Sequence, residues 1–361
     1  MIKRAYAHYV NATQVRRNVH LRLISSLCIL GLIVVLASLL SGCSLPESPG
    51  SSNDTSSTLH LRLRQPEDLE PVHLLGEDRL QVVVSTSIVA DVASNIGGEN
   101  LEVTVLIPRG IDPHAYQPTP GDLKALYQAD LVMLNGFDLE VALEDELGSV
   151  SNSVPIISLS DGLEALTFEI EAAQSNDHDV HDEGLDPHVW FDPTLVIHWV
   201  DRVELALVQL DPTHAPDFQI NAIRYRGELT TLDGWIKEQV ASMPLPKRKL
   251  VLDHLVLGYF AERYGFEVVS ALVPAFSSAA QVSPRELATL TEVIRSEAVS
   301  TIFVGADINS RMAEQLAHDL DIDVIRLYTS SLSEVGGAAE TYIEMMQYNV
   351  LAMRLALMEE A

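Results

Sequence analysis

The order of apolar runs predicts an α/β fold of two lobes, each a mainly parallel sheet flanked by helices, joined by one long rigid helix. Three observations carry this. After residue 79, short β-branched runs alternate with longer amphipathic ones, the grammar of βα units and a parallel sheet. The grammar occurs twice. Between its two occurrences, Pro216 to Met243 reads as a single helical pattern, unbroken by proline and longer than either lobe needs to cross its own sheet.

Ahead of the fold stands a leader. Residues 1–42 carry Lys3, Arg4, Arg16, Arg17 and Arg22, no acid, and an apolar run from Leu23 to Leu40, the pattern of an export signal. The run closes on Leu40-Ser41-Gly42-Cys43, which resembles the lipobox of bacterial lipoproteins. That resemblance implies cleavage before Cys43, acylation of the cysteine, and a mature chain anchored to the membrane by lipid. Cys28, the other cysteine, would leave with the leader, so the mature chain has no thiol pair and no thiolate for a metal. Loss of the leader's five basic residues leaves 18 against 51 acidic ones, a net charge of −33. Nucleic acid and anionic lipid headgroups are poor partners for such a field, which serves solubility and would also raise the local concentration of divalent cations. Residues 43–78, rich in Ser, Pro, Glu and Asp, read as a flexible tether.

In the first lobe, taken as 79–214, strands are expected at Leu80 to Val84, Leu101 to Ile107, Leu131 to Leu134 and Val154 to Ile157, with helices at Ile88 to Ile96 and Asp122 to Gln128. The connecting helix occupies 215–244, with Gly227 and Gly234 as its weak points and Pro244 and Pro246 closing it. In the second lobe, 245–361, strands are expected at Lys249 to Leu252, Phe266 to Leu272, Thr301 to Val304 and Asp323 to Leu327. A helix starts at Ser283, where Pro284 takes the first position and Glu286 completes a capping box. The closing helix, Tyr342 to Met358, spaces Ile343, Met346, Val350, Met353 and Leu357 as a core face, so its methionines read as packing and not as thioether ligands.

Three histidines stand where the chain is stiff or a strand has just ended. His114 lies in a loop set by Pro108, Pro113, Pro118 and Pro120; His188 repeats the same Asp-Pro-His tripeptide; His254 follows Lys249 to Leu252. Ligands of open α/β sheets bind outside the carboxyl ends of the strands. Separations of 74 and 66 residues exclude a small zinc finger and suggest a site assembled between lobes. His198, His214, His318, His60 and His73 have no matching context and read as structural or solvated.

The runs Asp112-Pro113-His114-Ala115-Tyr116, Ala129-Asp130-Leu131-Val132 leading to Asn135-Gly136, Asp186-Pro187-His188-Val189-Trp190-Phe191-Asp192, and His254 with Gly258-Tyr259-Phe260 together resemble the zinc- and manganese-binding lipoproteins of bacterial ABC importers. The resemblance implies one divalent metal in the cleft, held by His114 and His188 from the first lobe and His254 from the second. It also implies a membrane permease and its ATPase as partners, an extracytoplasmic location and a monomer. The remaining ligand of that family is usually a carboxylate in a run like Leu-Tyr-Thr-Asp-Ser-Leu; here the run is Leu327 to Leu332 and a serine, Ser330, takes its place. The alternatives for a fourth donor are the Ser330 position, Asp307 and Glu334, or water. Three neutral nitrogens favour zinc, with manganese next. The acidic stretch Asn176 to Glu183, with His178 and His181, reads either as a metal-gathering loop or as a solvated one.

The chain has no His-Glu-x-x-His helix, no Gly-x-Ser-x-Gly elbow and no phosphate-binding glycine loop, so an enzyme is not expected. A zinc hydrolase is the alternative class. A metal-binding adhesin or a metallochaperone would need the same ion and the same anchored placement.

Overall fold

The structure is a computed structural model that describes residues 61–76, 78–167 and 184–358. The leader, Cys43, the first part of the tether and the Asn176 to Glu183 stretch lie outside the described residues. Two four-stranded parallel sheets form the frame. The first joins β1 (Leu80–Val84), β2 (Leu101–Val105), β3 (Leu131–Leu134) and β4 (Ile156–Ser158) in the order β2-β1-β3-β4. The second joins β5 (Lys249–His254), β6 (Glu267–Val273), β7 (Thr301–Gly305) and β8 (Asp323–Leu327) in the order β6-β5-β7-β8. The two orders are equivalent, and each reverses direction beside its first strand, which opens a crevice at the strands' carboxyl ends.

Helices connect the strands: α1 (Ser87–Gly97), α2 (Pro120–Gln128), α3 (Glu144–Val150) and α4 (Pro193–Leu210) in the first half, then α5 (Ala215–Ala241), α6 (Gly258–Tyr264), α7 (Pro284–Ser296), α8 (Arg311–Leu320) and α9 (Tyr342–Met358). Their starts follow from local chemistry. The Thr86 hydroxyl accepts from Val89 N, Thr119 and Asp122 form a capping box at α2, and Ser283 and Glu286 form one at α7. α2 begins two residues earlier than expected because Pro120 occupies the first helical position instead of breaking the chain. α4 was not among the expected elements. Its Pro193 follows the cap Asp192, whose carboxylate accepts from Thr194 N.

Alternation along the strands sorts side chains into layers. Leu80, Val82, Val84, Leu131 and Met133 face inward, as do Leu250, Leu252 and Phe303 from the second sheet, and all join one apolar cluster with Phe218, Leu229 and Ile236 of α5. Val83, Val132 and Leu134 face a second cluster, and Val251, Ile302 and Val304 a third. The inner faces of both sheets therefore share a core built around the connecting helix. α5 passes through Gly227 and Gly234 without a break, both lying in open space. Met346 and Met353 of α9 are buried in that core, as their spacing required.

The tether is shorter than expected. Arg64 N donates to Ile156 O, extending contact to the edge strand β4, and Val72 N donates to Leu210 O, while Leu69 is buried. The polar composition of this stretch masks Leu61, Leu69, Val72 and Leu74, which pack on the folded body.

Gly136, just beyond β3, has φ of +94°, and a Cβ there would collide with the Ser158 hydroxyl. Gly136→Ala should lower stability by about 2 kcal/mol through backbone strain alone. Urea denaturation of the metal-free protein checks this, and an unchanged midpoint would contradict it.

Candidate metal centre

His114 sits in the 3-10 turn Pro113–Ala115 beyond β2, where Asp112 Oδ1 accepts from His114 N at 3.0 Å. The second Asp-Pro-His tripeptide folds likewise, with Asp186 Oδ1 accepting from His188 N at 3.0 Å. Asp186 Oδ1 also lies 2.7 Å from His188 Nδ1, and both side chains are fully buried. His254 is the last residue of β5, and Asp253 Oδ1 meets both its backbone N, at 2.7 Å, and its Nδ1, at 2.8 Å. Sheet and loops thus bring the three predicted histidines together. Their ring centroids are 5.3 to 5.7 Å apart, and one nitrogen from each lies within 4.8 Å of the others.

A carboxylate that engages Nδ1 leaves Nε2 to face the other way, and this occurs twice. His188 Nε2 lies 3.2 Å from His114 Nε2, close to the ~3.4 Å edge of a tetrahedron with metal–nitrogen bonds of about 2.05 Å. His254 Nε2 is buried with no hydrogen-bond partner. Burial, and then the neighbouring His188 and His254, push His114 down to about 3. His188 is held well below the ordinary histidine value by burial and by His254. Burial opposes charge on His254 too, but Asp253 outweighs it and raises the value. At neutral pH the cluster offers neutral imidazole donors from His114 and His188, and the His254 nitrogen has no protein group to satisfy it. Such a cluster can ligate a divalent ion.

Among the described residues, no carboxylate joins the three within that 4.8 Å group. Ser330 is buried with an unpartnered hydroxyl; both carboxylate oxygens of Asp307 are buried and unpartnered; Glu334 is exposed. Of the other histidines, His198 pairs with Asp161 O and His214 with Asp211, while His73 and His318 are exposed.

Around the cluster lies a layer of supports, most of which sequence reasoning did not assign. Asn135 Nδ2 donates to Pro187 O, and Glu140 accepts from Asn135 N and Gly136 N, fixing the turn after β3 against the His188 loop. Trp190 Nε1 donates to Thr329 O, and Tyr259 OH to Asp186 O, so residues of the second half hold the loop of the first. Asp112 Oδ2 accepts from Ser278 Oγ across the same divide. Asp186 and Asp253 carry a sequence signal, an acid one or two positions before a histidine, but its meaning depends on the fold.

Two open parallel sheets with donor side chains gathered at their carboxyl ends define a two-lobed solute-binding fold. The chain belongs to the family described as zinc-uptake complex component A, periplasmic, whose profile matches residues 82–356. It is similar to the manganese-binding lipoprotein MntA of Halalkalibacterium halodurans, with 31% identity over 90% of this chain and 96% of that one. The manganese ABC transporter substrate-binding lipoprotein PsaA of Streptococcus pneumoniae is 29% identical over 76% of this chain and 88% of its own. Among solved structures, the periplasmic zinc binding protein TroA from Treponema pallidum superposes with a TM-score of 0.71 at 27% identity, covering 78% of this chain and all of TroA.

Burial pushes the Glu140 carboxyl up to about 7, against hydrogen bonds from Ser85, Asn135 and Gly136 that favour the anion. Between the ordinary glutamate range and about 7, the folded chain keeps a proton that the unfolded chain has lost. Folding therefore takes up a proton there, and stability falls as pH rises through this window. His114 and His188, held low, act in the opposite sense over part of the same range, so the test is a difference: from pH 4.5 to 7.5 the melting temperature of metal-free wild type, taken relative to that of Glu140→Gln, should decline. A slope unaltered by the substitution would show that Glu140 titrates normally.

Proposed function

We propose that this chain is the extracytoplasmic metal-binding component of an ABC importer, capturing one divalent cation through His114, His188 and His254 and delivering it to a membrane permease coupled to an ATPase. The observation that carries the reading is the convergence of three imidazoles, His114 half-buried and His188 and His254 buried, the last two oriented by a carboxylate on Nδ1. MntA is named for manganese and TroA for zinc, and one similar structure from Candidatus Liberibacter asiaticus is Mn-bound and another Cd-bound. For this chain, nitrogen donors favour zinc, with manganese next. Residues 79–214 and 245–361 act as the two lobes and 215–244 as their link, with Cys43 as lipid anchor and the mature chain acting as a monomer. No observation favours the hydrolase or metallochaperone alternatives.

Chelator-stripped protein titrated with zinc should take up one tight equivalent per chain, read by isothermal calorimetry. The variant carrying His114→Ala, His188→Ala and His254→Ala should lose it; retention of that equivalent would overturn the assignment. Separately, Cys43→Ala should release the protein from the membrane fraction while leaving zinc uptake unchanged. Membrane retention of that variant would refute the anchor.

A further inference from the structure

A divalent ion held by neutral imidazoles in a buried cleft still carries its full charge, and a hydroxyl supplies none to offset it. The carboxylates of the cleft are mostly committed elsewhere. Asp112 accepts from His114 N and Ser278, Asp253 from His254 and from Gly305 N at 2.6 Å, and Asp186 stands behind His188 on its Nδ1 side. Asp307 differs. Both of its oxygens are buried and neither has a partner, an arrangement that disfavours an ionised group in the absence of compensation.

Its position is set by the same residue that orients His254. Asp253 pins the end of β7 through Gly305 N, and Asp307 follows two residues later, its Oδ1 about 3.0 Å from where a Gly305 Cβ would stand. Thr329 Oγ1 would meet that Cβ too, so only glycine lets these groups approach. The charges acting on Asp307 are Asp112 and Asp253, which repel its anion, and His254, which attracts a negative partner. A cation at the histidines would relieve both the repulsion and the missing hydrogen bonds.

Resting on the three-histidine reading above, we propose that Asp307, and not Ser330, provides the fourth, anionic donor to the bound ion. The carboxylate lies outside the 4.8 Å histidine group, so it swings in when the ion arrives. Ala306 beside it is exposed but its backbone N donates to Leu327 O, so the carboxylate side chain, and not the strand end, makes the movement.

The test uses the full mature chain with cobalt(II), whose visible absorption reports coordination, and zinc by competition. Asp307→Asn should weaken binding of both by on the order of 10-fold or more and change the cobalt spectrum, whereas Ser330→Ala should leave both near wild type. The metal-free Asp307→Asn protein should melt at the wild-type temperature or above it, since an uncompensated buried charge has been removed. Wild-type affinity and spectrum in Asp307→Asn would overturn the proposal, as would a fall in its metal-free melting temperature, which would mark a structural role. Wild-type protein that takes up no cobalt would instead defeat the three-histidine reading itself.

Discussion

Asp253 holds three groups at once: the backbone N and Nδ1 of His254, and the backbone N of Gly305. One side chain thus fixes a ring and ties the ends of two adjacent strands. The rest of the centre depends on this kind of bond. A buried imidazole with nothing on Nδ1 could rotate or change tautomer, and its Nε2 would not be a dependable donor. Asp186 repeats the device at His188, and the two carboxylates belong to different lobes, Asp253 in β5 and Asp186 in the loop ahead of α4, so the donors meet only while both lobes keep their places. The common apolar core along α5 supplies that constancy.

Much of the frame was legible in the sequence because parallel strands buried on both faces read as continuous apolar runs. β1, β3 and β8 coincide with their expected bounds, as does α9. β2 stops at Val105, two residues short, since Leu106 and Ile107 continue the apolar run beyond the strand while still bonding to Val84 O and Ser85 O. α4 went unread because proline marks a helix's start as readily as its end, and only the Asp192 cap distinguishes the two.

The three histidines were legible for a different reason. Proline and glycine around His114 and the repeated tripeptide at His188 are local signals, and local signals survive in a single sequence. What stood behind the histidines was not legible. Nothing adjacent to Asn135 announces Pro187, and nothing near Trp190 announces Thr329, because those bonds cross 52 and 139 residues of chain. The fourth donor stayed open for the same cause: sequence could not rank Ser330, Asp307 and Glu334, and in the fold Glu334 is exposed while Ser330 Oγ and both Asp307 oxygens are buried and unpartnered.

The segment between β8 and α9 reaches back to the opening of the fold. Leu332 N donates to Ser87 Oγ, Arg109 reaches Ser333 O and Glu340 O, and Tyr342 N meets Asp91 Oδ2. These bonds join residues 224 to 251 positions apart. Contacts so distant in sequence require nearly the whole polypeptide to be on hand, and they form late. A chain emerging in order from a translocation channel would present His114 and His188 well before the last of these ties exists. Its nascent form would hold scattered imidazoles with no shared geometry, and tight capture would begin only once the carboxyl-terminal helix had docked.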